Sequence, residues 1–274
     1  MKSSLYDSDI NYDIGSSRKI PGTNYILIVI ISIILIVVVL TILHNISLNK
    51  TSDIQDVIII NDPTKELLQE KIKSRLPIII NGMIIKDDLL YDLQPHELRD
   101  GNPDYLLKTH DKICSFAEFI AERKYIYNNP EFINDFKMGF RVKRLLYGFD
   151  LDIHCSKKYL FNMFMKKTKL KLECNSNNLC IILQLNGAQT INLFHPEYSE
   201  DIKDLGEKIW SSSNDDINDT LTNVRYLQLV IKSGQILYIP PLWRWCSIVS
   251  DSGVYVKYTC DSYFTTLINR IKNI

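Results

Sequence analysis

The chain has 274 residues, and its 32 lysines and arginines balance 32 aspartates and glutamates, so the formal net charge is zero. This balance gives no support for nucleic-acid binding, which normally requires a basic domain. About 220 residues follow an apolar run near the amino terminus, enough for one domain with a sizeable core. Heavy use of Ile, Asn and Lys is typical of AT-rich genomes, such as those of large DNA viruses or some protists.

The first recognisable element is an apolar run from Tyr25 to Leu43 that contains no charge. Roughly 20 apolar residues are needed to cross the hydrocarbon core of a bilayer. The run therefore predicts a transmembrane helix over residues 24–44, after a polar tail of residues 1–23. A signal peptide is the alternative, but its apolar region is shorter, lies nearer the terminus and ends at a small-residue cleavage site. No such site follows this run.

The charges that flank the apolar run predict its orientation. Lys2, Arg18 and Lys19 precede it, whereas Lys50 is the nearest cation after it. Because cytoplasmic flanks carry the excess of Lys and Arg, we expect a single-pass type II protein with a cytoplasmic amino terminus. The AT-rich composition suggests a virion envelope or a host endomembrane as its location. Asn218 begins an Asn-x-Thr pattern, a glycosylation acceptor if the domain is translocated. The lipid bilayer is thus the first expected partner.

Beyond the apolar run we interpret residues 45–61 as a linker and residues 62–274 as one domain, predicted to be mainly helical as far as residue 168. Asp62-Pro63 is typical of a helix start, because Pro is favoured at the first helical position. An apolar segment over residues 76–82 ends in Asn-Gly and predicts an early strand with a turn.

Three further helices are predicted in this half of the domain. Ser115 and Glu118 have the spacing of a capping box, which marks the first turn of a helix. Residues 130–147 and 156–168 also have helical patterns. The second of these contains a Phe/Met stripe, which is typical of core packing rather than of a cofactor site.

Short β-branched segments dominate from residue 170 onward and predict an antiparallel sandwich or barrel, giving an α+β fold for the whole domain. Asn186-Gly187 is the strongest short hairpin signal and predicts a hairpin tip. Ser233-Gly234 predicts a second turn, and the polar residues 200–223 a surface insertion. The predicted strands are residues 179–185, 190–194, 225–232, 235–239 and 254–259.

All six cysteines follow the apolar run. An even number in a translocated domain permits disulfide bonds. Their spacing is scattered, however, and no Cys-x-x-Cys occurs, so buried free thiols are an equally acceptable interpretation. The cysteines are Cys114, Cys155, Cys174, Cys180, Cys246 and Cys260.

Two segments resemble those of a known family. Residues 184–196 read QLNGAQTINLFHP, and residues 233–245 read SGQILYIPPLWRW. In their motifs and their order after a helical first half they resemble the JmjC-like, cupin-8 family, whose second segment reads Tyr-Ile-Pro-Pro before a metal-binding His. The resemblance covers residues 76–262. It implies a helical segment followed by a cupin-like barrel, that is, a double-stranded β-helix or jelly roll.

Enzymes of that family bind Fe(II) through a His-x-Asp pair and a distal His, and a hairpin Lys pairs with the cosubstrate 2-oxoglutarate. An ungapped placement puts the pair on Cys174 and Ser176, the Lys on Gln189 and the distal His on Trp245. A hydroxyl is a poor ligand for Fe(II), an indole is none, and an amide brings no charge to a carboxylate. The resemblance therefore implies a vestigial site with no catalytic, metal-binding or cofactor-binding residue and no bound cofactor.

Relocated ligands are the alternative. A slip of one residue would put Glu173 at the first ligand position and Asn175 at the second, still without a pair of His. His195 is more typical of a surface or capping His than of a ligand, and His154-Cys155 of a loop or cap. The candidates for relocated ligands are His154, Cys155, Glu173, His195 and Asp251.

Trp243 and Trp245 would point to the same face of one predicted strand. Trp245 in the direction of the lost His would fill the former metal cavity, since an unfilled cavity is destabilising. An aromatic floor for a sugar or peptide is the alternative. The expected function is a membrane-anchored, inactive JmjC-like cupin that binds or scaffolds a protein or glycan. The alternatives are a divergent oxygenase using Fe(II) and 2-oxoglutarate, and a carbohydrate- or peptide-binding cupin.

Overall fold

The structure, a computed structural model, contains two compact units, Met1–Leu43 and His44–Ile274. The chain is a mixed α+β protein with a core made mostly of sheet. The residues that the structure describes are 22–48, 52, 54–84, 90–91, 93–109, 112–149, 155–203, 224–262 and 265–266.

The amino-terminal helix α1 covers Gly22–Leu48 and contains the apolar run Tyr25–Leu43. These 19 residues have a mean hydropathy of 3.7, and none of them is buried within the protein. At about 1.5 Å of rise per residue, a helix of this length matches the hydrocarbon thickness of a bilayer. The predicted apolar helix is confirmed. Its length and composition suit a membrane anchor, and a signal sequence near the terminus has the same properties.

Among the described residues, nine strands form one mixed sheet and two short strands form a separate ribbon. Only the first two strands in chain order, Ile58–Asn61 and Ile78–Asn81, are parallel neighbours; the other pairs in the sheet are antiparallel. The strands of the sheet are β1 (Ile58–Asn61), β2 (Ile78–Asn81), β5 (Tyr125–Asn129), β6 (Cys155–Phe164), β7 (Thr168–Cys174), β8 (Leu179–Phe194), β9 (Tyr226–Lys232), β10 (Ile236–Ile239) and β11 (Arg244–Ser262). The ribbon pairs β3 (Leu106–Lys108) with β4 (Ile113–Ser115).

The two longest strands, β8 and β11, divide the sheet into two arms. In the first arm the order is β1-β2-β10-β8-β11-β6-β5, which uses the first half of β8 and the second half of β11. In the second arm the order is β9-β8-β11-β7, which uses the other halves. The strands of the described residues do not close into a barrel. The α+β class is therefore confirmed, whereas a closed jelly roll is not.

Asn186 and Gly187 do not form a hairpin tip, and this prediction is wrong. They lie inside β8, where the strand passes from one arm to the other and the register with β11 shifts. Gly187 has φ +73°, and a Cβ there would lie 2.4 Å from the carbonyl oxygen of Ser252. Gly inside a strand commonly marks such a bulge or close approach. By contrast, Ser233-Gly234 does form the predicted turn between β9 and β10.

The segment containing the Tyr-Ile-Pro-Pro run is a strand, a turn and the start of a second strand. β10 ends at Ile239, a turn follows, and β11 begins at Arg244. Leu242 in this turn adopts φ +67°. Trp245 is thus the second residue of β11, and Trp243 immediately precedes that strand.

The helices of the domain are short. The predicted helix over residues 130–147 is two helices separated by a turn in which Lys137 has φ +51°. The capping box of Ser115 and Glu118 is confirmed. Pro63 precedes the helix that it was predicted to start, because Thr64 is the N-cap. The helices are α2 (Lys65–Ile72), α3 (Pro95–Gly101), α4 (Phe116–Ala121), α5 (Pro130–Asp135), α6 (Gly139–Leu145) and α7 (Ser199–Lys203).

Residues 155–164 form the strand β6, so the predicted helix over residues 156–168 is wrong. Phe161 and Met163 face the helices, whereas Phe164 faces the second arm, which is the alternation of a strand buried on both sides. The expectation that the Phe/Met stripe packs in the core is confirmed. A strand buried on both faces lacks the polar alternation that would have distinguished it from a helix.

The sheet begins earlier than the predicted domain boundary at residue 62. β1 lies within residues 45–61, the predicted linker, and pairs with β2 in register from Ile58 to Asn61. With β3, β4, β5 and β6 it also makes the first half of the domain less helical than predicted. Residues 204–223, most of the predicted insertion, lie outside the described part of the chain.

The described core has two main parts on opposite faces of the first arm. On one face, residues such as Ile181 and Val256 pack against the helices. On the other, Ile182 and Tyr255 pack against Trp245 and other residues of the second arm. We call this second part the inter-arm core. The described cysteines are free thiols, with Cys174 exposed and Cys114, Cys180, Cys246 and Cys260 buried.

Candidate functional site

The end of β7 and the start of β11 lie side by side, and their register places the expected site residues. Trp245 pairs with Glu173, and Arg244 pairs with Cys174. The residue directly opposite Trp245 is therefore Glu173 of the slipped placement, and Cys174 of the ungapped placement lies opposite Arg244. Cys174 is exposed, and its Sγ lies 3.8 Å from the carbonyl oxygen of Leu242.

Asn175, the middle residue of the expected pair, is buried and holds two parts of the chain together. Its Nδ2 donates to the carbonyl oxygens of Ile239 and Pro240 at 2.8 and 3.0 Å. Its backbone N–H donates to the Trp243 carbonyl oxygen at 2.9 Å. Asn175 thus fastens the end of β7 to the turn between β10 and β11. Ser176, which comes next in the chain, is exposed.

Gln189, at the position expected for the cosubstrate-binding Lys, is buried in the second half of β8. Its Nε2 donates to Gln184 Oε1 at 2.8 Å, and Gln184 Nε2 donates to the Asn186 carbonyl oxygen at 2.7 Å. Gln189 Oε1 is buried without a hydrogen-bond partner among the described residues. Gln189 is therefore part of a neutral amide chain that supports the bend in β8.

Trp243 and Trp245 are both buried in the inter-arm core. The ring of His195 meets the ring of Trp243 edge-on, with centroids 5.1 Å apart. Their burial leaves neither indole as an exposed platform for a sugar. The arrangement is that of residues packed in the core.

His195 acts as a cap and a tether. Its Nδ1 accepts from the backbone N–H of Glu197 at 3.3 Å, at the start of a 3-10 turn. Its Nε2 lies 2.7 Å from the carbonyl oxygen of Ser52. Both ring nitrogens are therefore engaged, which leaves no lone pair for a metal. The expectation of a capping His is met, although the side chain is buried rather than on the surface.

The inter-arm space beside Trp245 contains four side chains that we call the charged cluster: Glu173, Lys257, Tyr127 and Trp245. Lys257 Nζ lies 2.7 Å from Glu173 Oε2, and the Tyr127 hydroxyl donates to Glu173 Oε1. The Lys257 ammonium also lies 5.8 Å from the centre of the Trp245 ring and 5.9 Å from that of Tyr127. The side chain of Lys257 is 8% exposed and that of Glu173 is 25% exposed, so the pair is nearly enclosed.

A bulge in β5 directs Tyr127 toward Glu173. The register of β5 with β6 shifts between Ile126 and Asn129, and Asn128 adopts φ +53°. Asn162 on β6 compensates, because its Oδ1 accepts from the Asn128 backbone N–H at 2.8 Å. Bulges of this kind re-aim a side chain near functional positions.

Burial controls protonation around the cluster. It raises the pKa of the Tyr127 hydroxyl far above its usual value, and the Glu173 carboxylate raises it further, so Tyr127 remains a donor. Burial also raises the pKa of the Cys180 thiol to about 12, although Lys257 acts in the opposite direction. The Tyr255 hydroxyl is buried without a hydrogen-bond partner among the described residues, and burial raises its pKa. These neighbours of the ion pair are therefore neutral.

The charged cluster does not suit a metal ion. An ammonium has three donors and no lone pair, and here it neutralises the carboxylate beside it. Within the described residues no group of three or more His, Cys, Asp or Glu side chains could hold a metal. Of the other candidate ligands, His154 and the side chains of Cys155 and Asp251 lie outside the described part.

Sequence reasoning found Glu173 and Trp245 but not Lys257 or Tyr127. Lys257 was detectable in principle, since it is the one charged residue in the apolar segment Gly-Val-Tyr-Val-Lys-Tyr-Thr-Cys of β11. A charge on an inward-facing strand position requires a partner. Tyr127 gave no comparable signal, because its direction depends on the β5 bulge.

No family model matches the chain, and no curated protein matches it in sequence. A function for this chain must therefore be inferred from its own residues and their geometry.

Proposed function

We propose that the protein is a membrane-anchored, non-catalytic JmjC-like cupin that works by binding or scaffolding another molecule. The order of strands supports the cupin part. If β8 and β11 each count as two strands, the arms contain β6-β11-β8-β10 and β7-β11-β8-β9. These two sets of four strands match the eight strands in two sheets of a jelly roll, and the first arm extends beyond its set through β1, β2 and β5.

The observation that carries the non-catalytic part is the pairing of Lys257 with Glu173 beside Trp245. In the placement slipped by one residue, Glu173 and Trp245 would take the positions of the first and the last iron ligand, and these two residues pair across β7 and β11. The carboxylate is occupied by an ammonium and by the hydroxyl of Tyr127. The donor set therefore does not fit Fe(II), which needs two imidazoles and a free carboxylate in the facial triad.

The cosubstrate position supports the same proposal. Gln189 has no charge, and its Nε2 is already bound to Gln184. The pairing of 2-oxoglutarate with a hairpin Lys, as in the resembled enzymes, has no counterpart there. Loss of both the metal ligands and this charge favours a binding role over a divergent oxygenase.

The membrane part of the proposal rests on α1. This run of 19 residues, apolar except for Ser32 and Thr41 and with no buried position, requires an apolar surrounding, since water would solvate it at high cost. We propose that this surrounding is a bilayer, crossed once, with the amino terminus on the cytoplasmic side as the flanking cations indicate.

Iron analysis and turnover assays on the full chain in detergent test the non-catalytic role. After incubation with Fe(II) and desalting without chelator, we expect iron far below one atom per chain. We also expect no oxygen uptake that depends on 2-oxoglutarate. Near-stoichiometric iron together with such uptake would contradict the proposal. In that case Glu173, His154 and His195 would be the first ligands to replace.

A further inference from the structure

The first arm ends in an open strand edge beside a groove. Among the described residues, β5 pairs only with β6, and β7 pairs only with β11. A groove of about 600 Å³ lies between them, lined by residues 125–131 of β5 and α5 and by residues 168–171 of β7. We call it the β5/β7 groove. Lys108 and Thr109 line it as well, and the two longer stretches of chain give it the shape of a channel for an extended segment.

The free edge of β5 presents backbone groups to this groove. The Lys124 carbonyl oxygen accepts from the Met165 N–H at 3.1 Å, so Lys124 and Ile126 turn their backbone groups toward β6. Because alternate residues of a strand turn to opposite edges, Tyr125, which precedes the bulge, turns its backbone groups away from β6 and toward the open edge. Unpaired N–H and C=O groups in a row are a template for an added strand.

The groove is also basic. Lys108, Lys169 and Lys171 line it, against the single carboxylate of Glu131. Residues 155–172, which contain β6 and most of β7, carry six lysines and no carboxylate, although the chain as a whole is neutral. Charge of one sign concentrated around a groove attracts a ligand of the opposite sign.

We propose that the β5/β7 groove binds an extended acidic peptide, which adds as a strand to the edge of β5. The peptide backbone pairs with Tyr125, and its carboxylates contact Lys108 and Lys171. This proposal rests on the proposed binding role and names the class of partner. Tyr127 both lines the groove and donates to Glu173, so the peptide lies next to the charged cluster.

Binding of labelled octapeptides to the full chain in detergent, followed by fluorescence anisotropy, tests this proposal. The probe alternates Val and Glu. One control alternates Val and Lys, and a second alternates Pro and Glu, which keeps the charge but removes every second backbone N–H. We expect both controls to bind at least about tenfold more weakly than the probe. Equal binding of the Pro-Glu peptide, equal competition by free glutamate, or no binding of the probe overturns the proposal.

Two pairs of variants localise the site. Lys108→Glu combined with Lys171→Glu should weaken probe binding at least about tenfold, whereas Lys232→Glu, an exposed Lys on β9, should not. Tyr125→Pro should bind the probe more weakly than Tyr125→Ala. Both variants lose the ring, but only Pro lacks the outward N–H, and Pro is tolerated on an open edge. Equal affinities within either pair would overturn the proposal, whatever the iron measurements show.

Discussion

Lys257 Nζ and Glu173 Oε2 are separated by 2.7 Å in a space that two arms of the sheet enclose, although the residues are 84 positions apart in the chain. A lysine this deeply placed must be paired or lose its charge. The ion pair therefore explains why a charged residue can occupy an inward-facing position of β11. The stability of the domain interior therefore depends on the presence of both Lys257 and Glu173.

Removing one partner should destabilise the domain strongly. Lys257→Met leaves the Glu173 carboxylate without its cation, and we expect a loss of about 3 kcal/mol in the free energy of unfolding. Glu173→Gln combined with Lys257→Met should recover part of that loss, because no unpaired charge remains. Urea unfolding of the full chain measures both. Lys232→Met, at an exposed position, is the control, and a Lys257 effect no larger than the control would contradict the pairing.

Trp245 should matter for packing and not for chemistry. Trp245→Ala should cost about 3–5 kcal/mol in the free energy of unfolding, because it empties a fully buried site. Trp245→His should cost less than that and should still bind no iron, since one imidazole is not a metal site. Thermal unfolding and iron analysis check the two parts. Phe140→Ala, at a residue that is 78% exposed, is the control.

Gly187 should tolerate no side chain. Its φ of +73° disfavours an L-residue, and a Cβ would lie 2.4 Å from the Ser252 carbonyl oxygen. We therefore expect Gly187→Ala to cost roughly 2–4 kcal/mol, from the backbone conformation and the clash together. Gly101→Ala is the matched control, because nothing lies within 4 Å of its Cβ position. Equal chemical unfolding midpoints for the two variants would show that β8 does not bend at Gly187.

Stability should fall at alkaline pH through buried thiols. Burial raises the pKa of Cys180 and of Cys246 from 9.0 to about 12. The folded state thus holds these protons more tightly than the unfolded state, so their stabilisation is complete below pH 9 and is lost as the pH rises toward 12. Replacing both residues by Ser should reduce the difference between the urea midpoints at pH 8 and pH 10.5. An unchanged difference would contradict the predicted contribution of the thiols.

The apolar helix should be sensitive to charge. Ile34→Arg with Val37→Arg should release the protein into the soluble fraction, because each charge at a helix centre costs roughly 2.5–3.5 kcal/mol on the insertion scale. The variant with Leu at both positions is the control, and it should stay in the membrane fraction. Retention of the Arg variant would contradict a spanning helix.

The orientation has its own test. Glycosylation at Asn218, detected by endoglycosidase treatment, would place the domain on the translocated side, as predicted. Protease digestion of the domain in intact microsomes would instead place the domain on the cytoplasmic side and contradict the prediction. Asn218 lies outside the described residues, so the test depends only on the sequence pattern.

Sequence patterns correctly predicted those elements that depend only on residues close together in the chain. The apolar length of α1, the capping box at Ser115 and the turn at Ser233-Gly234 each depend on a few neighbouring residues, and each is present in the structure. The Asn186-Gly187 signal failed because the same dipeptide suits a left-handed position in a turn or in a bulge. Only the register of β11, which pairs with both halves of β8, decides between them.

The sequence predicted only those members of the charged cluster that lie in the segments resembling the family. The family resemblance brought Cys174, Glu173 and Trp245 into consideration, but it did not say which residue of β7 lies opposite Trp245. In the structure that residue is Glu173. Lys257 and Tyr127 reach the cluster from β11 and from a bulge in β5, and no motif links them to Glu173. The sheet brings these side chains together from strands that are far apart in the chain, so no short stretch of sequence could reveal the cluster.

The shared strands also affect how the chain acquires its structure. β11 supplies the antiparallel partner of β6, of β7 and of both halves of β8. Until residues 244–262 have been synthesised, those strands have no common partner, and most contacts that complete the sheet join residues far apart in sequence. Domains dominated by such distant pairings fold slowly. A nascent chain that ends before residue 244 would therefore present unpaired strand edges to chaperones and proteases rather than a partly functional domain.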